Sequence, residues 1–209
     1  MTDRARIFLV APAQPEQSLF QERLSEALGA AEVAAVLFGS GTLDGEGATE
    51  LVRRVQAAGA AALVADDTRI MGRLKADGLH IGGGLGDIRS AVAGFRPQRI
   101  VGAGNLYSRD TAMQAGEIGV DYLFFGQPYG DTHDGPHAKA LDLAAWWAEI
   151  MQIPCVLMAG RTIAGVQAAA ASGADFVALH DFIWAHAEGP AQAMREAAAV
   201  LGRPERQAV

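Results

Sequence analysis

Eight short apolar runs recur along the chain at a spacing of roughly two dozen residues: 7–11, 34–38, 61–65, 78–82, 99–103, 122–126, 155–160 and 176–180. Each is almost uniformly apolar, the pattern of a parallel strand covered on both faces. Between them lie alanine-rich amphipathic stretches, read as helices over 16–29, 46–58, 67–76, 86–94, 108–118, 140–151, 162–173 and 188–201. Eightfold strand-helix alternation in 209 residues predicts an α/β fold, a single (β/α)8 TIM barrel spanning 1–209. A polar tail over 202–209 should fray.

Local signals support the helices. Ser18 or Pro15 can open the first and Ser108 the fifth, while Asp67 and Asp87 suit N-caps. Gly29, Gly59, Gly119 and Gly173 stand where helices stop. The turns Gly119-Val120-Asp121-Tyr122, Gly173-Ala174-Asp175-Phe176 and Ala76-Asp77-Gly78 repeat one connection, an echo of a repeated half-unit. Trp146 and Trp147 are about 100° apart on one helix. One should enter the core and the other stay half-exposed, where it could mark a homodimer surface.

Composition narrows the function. No apolar run reaches the ~18 residues of a membrane helix, and the N-terminus carries no signal-peptide pattern. A cytoplasmic protein is expected. Net charge is −7 with scattered basic residues, which argues against nucleic acid or a membrane surface as partner. The lone Cys155 reads as a buried hydrophobe, and a single chain with one cysteine forms no internal disulfide.

Active sites in this fold lie at the C-terminal ends of the strands. There the chain carries His80, His133, His137 and His180, with His186 slightly further on. Asp44, Asp66, Asp67, Asp87, Asp131, Asp134 and Asp181 crowd the same face against Arg69, Lys139 and Arg161. Asp66, His80, His180 and Asp181 sit at strand tips, where side chains can point into the mouth. Such groups suit acid/base work or a divalent metal, although no dedicated metal motif is present. Asp66, His80 and His180 are the catalytic candidates. The glycines of 82–86 do not follow the first strand, so they do not form a dinucleotide fingerprint. Phosphate in this fold binds at the seventh and eighth loops. The amides of Gly160, Arg161 and Thr162 at a helix start, with the Arg161 charge, could hold an anion, which Asp181 would repel.

The segment LVADDTRIMGRLKADGLHIG (63–82) resembles the thiamine phosphate synthase family, including its thiazole tautomerase-like branch. GVDYLFFGQPY (119–129), IPCVLMAG (153–160) and ASGADFVALHDFI (171–183) match further on, so the resemblance covers about 60–185. It implies the same barrel, a small phosphorylated or heterocyclic ligand, Mg2+ as cofactor with Asp66 as its ligand, and a transferase activity in thiamine biosynthesis. Several family positions are changed. The basic Arg-x-Lys pattern that holds pyrophosphate after the second strand falls on Leu37-Phe38-Gly39-Ser40, and the Asn-Asp pair on Ala65-Asp66. The Gln and second metal Asp fall on Gly83 and Leu85, and the serine after the fifth strand on Gly104. The Thr-Lys of the sixth loop falls near His133-Asp134, the glycine pair of the seventh on Ala159-Gly160, and the serine of the eighth on Asp181. Gln127 stands where the tautomerase branch has histidine. Gly104, Gln127, Gly160, Arg161, Thr162 and Asp181 are thus the ligand-binding candidates. The expected protein is a diverged family member with most pyrophosphate and metal residues lost. The alternatives are an isomerase- or lyase-type enzyme using His/Asp acid-base pairs, and a non-catalytic ligand sensor.

Overall fold

Eight parallel strands close on themselves in chain order in the computed structural model, which describes residues 4–45, 47–129 and 133–202. They are β1 Arg6–Val10, β2 Val33–Phe38, β3 Ala61–Ala65, β4 Gly78–Ile81, β5 Ile100–Ala103, β6 Tyr122–Phe125, β7 Cys155–Met158 and β8 Phe176–Leu179. Leu9 of β1 lies opposite Val36 on one side and Leu179 on the other, which closes the ladder. Side chains alternate across each strand. Phe8, Val10, Leu37, Leu63, Phe124 and Met158 fill the barrel interior. Ile7, Leu9, Val36, Val64 and Leu79 face the helices and form the larger outer core.

The helices are α1 Gln17–Ala30, α2 Ala48–Ala57, α3 Thr68–Leu74, α4 Leu85–Phe95, α5 Arg109–Ile118, α6 Ala138–Ile150, α7 Ile163–Ala171, α8 Asp181–Trp184 and α9 Pro190–Val200. Each helix read from the sequence is present, with ends moved by a few residues. Asp67 and Ser108 cap α3 and α5 as expected. Asp87 acts from inside α4, accepting from the Gly84 amide at 3.1 Å. Neither Ser18 nor Pro15 opens α1; the cap is Glu16, whose carboxylate accepts from the amides of Ser18 and Leu19. Gly59, Gly119 and Gly173 adopt left-handed φ values of +80°, +94° and +84° at helix ends, whereas Gly29 lies within α1. Two short elements, a 3-10 turn over Ser40–Leu43 and α8, escaped the sequence pattern because neither is long enough to show a period.

Trp147 is buried and donates to the Ile153 carbonyl at 2.7 Å, while half-buried Trp146 lies under the Arg109 guanidinium. The expected division of the two indoles holds. Cys155 is buried, and burial pushes its thiol up to about 12, so it stays protonated. Gly202 belongs to a turn after α9 and accepts from Arg4; 203–209 of the expected tail and Asp131 lie outside the described residues. Among the described residues no helix is long and apolar enough to cross a membrane.

The repeated turns have one physical purpose. Asp77, Asp121 and Asp175 each stand just before an even-numbered strand. Each carboxylate accepts at 2.8 Å from an amide at or near the start of the preceding strand, namely Ala62, Val101 and Cys155. All three recipients are buried, so their amides need a partner that the next strand does not supply. Asp77→Ala should therefore cost about 1–3 kcal/mol in urea unfolding, the range for leaving a buried donor unsatisfied. Asp77→Asn, which keeps an acceptor oxygen, should recover much of it. Equal stability of Asp77→Ala and the parent would refute the clamp.

Candidate functional site

Asp66, Gly104, Gln127, Gly160, Arg161, Thr162, His180 and Asp181 all follow the C-terminal ends of their strands, so one rim gathers them. Their positions differ in what they offer. Asp66 holds a left-handed φ of 53° directly after β3 and donates its amide to the His80 carbonyl at 3.0 Å. Its Oδ1 accepts from the Gly82 amide at 2.7 Å. The carboxylate thus ties the β3 and β4 ends together.

His80 does not point into the open mouth. Its side chain lies inside the barrel, 3% exposed, with Nδ1 2.9 Å from the Tyr122 hydroxyl. The ring stacks on Tyr122 and meets Phe124 edge-on. The cause is strand parity: His80 is the third residue of β4 and faces inward. Burial holds its imidazole down at about 4, so the ring is neutral at ordinary pH. Gly104 makes room for it, since a Cβ there would come within 2.5 Å of Nε2. Gly104 therefore accommodates a packed side chain.

The loop after β6 and the start of α7 share backbone. Arg161 donates its amide to the His133 carbonyl at 3.0 Å, and Thr162 donates its amide to the Asp134 carbonyl at 3.2 Å. The Thr162 hydroxyl donates to that same carbonyl at 2.7 Å. The Arg161 guanidinium pairs with Asp134 at 3.1 Å. Gly160, at φ +87°, lies so close to Gly135 that a Cβ would come within 2.7 Å of its Cα. Two of the three amides expected to face an anion are spent on carbonyls of the neighbouring loop. An anion at that point must displace them.

Tyr129, which the residue pattern did not single out, reaches from the β6–α6 loop across the mouth. Its ring packs on the interior cluster, and its hydroxyl lies where a Cβ on Gly39 would approach to 3.3 Å. That hydroxyl is buried and has no hydrogen-bond partner among the described residues. Burial, and then the Asp66 charge, push its pKa up. No short-range sequence signal reveals such a reach, because it depends on two loops four strands apart in the chain. His180 precedes α8 with Nδ1 2.8 Å from Asp181 Oδ1, but the contact is not aligned as a hydrogen bond and both ring nitrogens lack an aligned partner. Gln127 is exposed and lines a cavity of about 300 Å³ between the β5 and β6 loops and α6.

The groove where the resemblance implies Mg2+ carries two carboxylates. Asp66 and Asp87 border it, and one oxygen of each accepts from an amide, that of Gly82 and that of Gly84. Gly83 and Leu85 stand where the resemblance implies a glutamine and a second carboxylate. Among the described residues no group of three or more His, Cys, Asp or Glu side chains converges.

The family model described as thiamine monophosphate synthase matches residues 7–183. A thiamine-phosphate synthase of Hyphomonas neptunium is 36% identical over 202 residues, covering 92% of this chain and 91% of that protein. One from Rhodospirillum centenum is 33% identical over 201 residues, covering 94% and 97%. The solved thiamine phosphate pyrophosphorylase of Pyrococcus furiosus superposes with a TM-score of 0.75 at 21% identity, covering 96% of this chain and 97% of that one, which supports the fold.

His80 gives a pH signature. Its folded pKa, about 4, lies below the ordinary value of about 6.5, so as pH falls through this window the unfolded chain binds a proton that the folded one refuses. Its contribution is whole above about 6.5 and is lost towards 4. Between pH 7 and pH 4.5 the expected loss of stability from this one group is about 2–3 kcal/mol. Urea unfolding at both pH values should show it, with His80→Gln removing this component. An imidazole that titrates near 6.5 by NMR in the folded protein would overturn it.

Proposed function

The chain belongs to the thiamine monophosphate synthase family, and from that premise we propose that it uses the family barrel to bind a small phosphorylated or heterocyclic metabolite without making thiamine phosphate. Tyr129 supports this reading most. Expelling pyrophosphate builds negative charge that cations must stabilise. Beside Gly39-Ser40, where the resemblance calls for basic residues, stands a buried phenol with the Asp66 charge near it. Arg161 is engaged by Asp134. Each missing group of this kind is worth several kcal/mol in a transition state, so their joint loss removes a useful rate.

One observation favours a second reading, proton-transfer chemistry of isomerase or lyase type. The ring nitrogens of His180 are buried and lack an aligned partner beside Asp181, a state suited to accepting a proton from a bound ligand. His80, held by Tyr122, would take no part.

A steady-state assay with the pyrimidine pyrophosphate, thiazole phosphate and Mg2+ separates these from the activity named for the relatives. Turnover below about 0.1 per second is expected, against roughly 1–10³ per second for ordinary enzymes. Ordinary turnover would reject the proposal. Loss of an isomerase-type exchange reaction in His180→Gln, followed by deuterium uptake into a bound ligand, would favour the second reading.

A further inference from the structure

The cavity between the β5 and β6 loops and α6 brings together side chains that have no role so far. Its floor is apolar, made by Leu106, Leu143 and Met158. Lys139, His133 and His137 border it, and the two imidazole rings meet edge-to-face at 5.8 Å. The carboxylate of Asp134 is turned to Arg161. At about 300 Å³ the cavity sits at the small end of ligand sites, the size of one substituted ring. Tyr107, 49% exposed, adds an aromatic wall.

We infer that this cavity binds a small aromatic or heteroaromatic carboxylate, its ring on the Leu106–Leu143–Met158 floor and its carboxylate at Lys139 and the two histidines. The apolar floor fits a ring, and a single ammonium with imidazole N–H groups matches the two oxygens of a carboxylate. The one lysine charge matches the single charge of a carboxylate, whereas a phosphate monoester carries nearly two. The inference rests on the metabolite-binding reading and names its ligand class, at a corner of the rim away from Tyr129 and Gly39.

Titration calorimetry with benzoate, its neutral isostere benzamide, and phenyl phosphate tests it. Benzoate should bind at least tenfold more tightly than benzamide. Lys139→Gln, an exposed position, should weaken benzoate about tenfold and leave benzamide unchanged. Gln127→Trp, also from an exposed position, should fill the cavity and abolish binding with the thermal midpoint retained. Equal affinity for benzoate and benzamide, tighter binding of phenyl phosphate than of benzoate, no binding of benzoate, or binding that requires added zinc would each overturn the proposal. The turnover assay is read independently. A chain that makes thiamine phosphate defeats the broader reading, whereas failure of the benzoate series with no turnover defeats only the ligand class.

Discussion

Closure of the sheet on itself is the constraint from which the rest of this structure follows. Once β1 pairs with both β2 and β8, no strand keeps an edge, and every strand is buried on two faces. Strands of four to six residues then enclose a narrow interior that must be filled from few positions. Large rings do the filling, and small residues admit them. Gly102 shows the tightness: a Cβ there would stand 2.0 Å from the Tyr122 ring. The His80–Tyr122 contact is the polar part of the same solution, a buried imidazole kept neutral and given one hydrogen-bond partner.

The same constraint shapes the rim. The end of β3 is tied to β4 through Asp66 and Gly82, and the β6 loop to α7 through His133 and Asp134. Polar groups that look available for ligands in a list of strand ends are therefore partly committed to holding the loops. Uncommitted among the described residues are the buried Tyr129 hydroxyl, the His180 ring nitrogens and the side chains of the cavity beside Lys139.

The strands were legible because burial on both faces leaves an uninterrupted apolar run, and the helices because one face is apolar. The αβ turns were legible as a repeat, and the carboxylate-to-amide contacts explain why the aspartate recurs. The direction of His80 was not legible, since shifting one residue along a strand reverses the face and an apolar run carries no parity mark. Glu16 was missed as a cap because shorter side chains usually serve there. Tyr129 and the pairing of Arg161 and Thr162 with loop carbonyls depend on residues distant in the chain, which local patterns do not encode.

The glycine contact between the β6 loop and the start of α7 bears on how this fold can be re-engineered or diversify. Loops on a barrel rim are commonly treated as interchangeable parts, grafted one at a time onto an unchanged scaffold. Here Gly135 and Gly160 touch backbone to backbone, and a Cβ on Gly165 would come within 2.7 Å of the Asp134 carbonyl. A new sixth loop carrying a side chain at the contact would push the seventh loop outward and break the hydrogen bonds from the Arg161 and Thr162 amides. These two loops form one inheritable unit, and variation in either must be matched in the other.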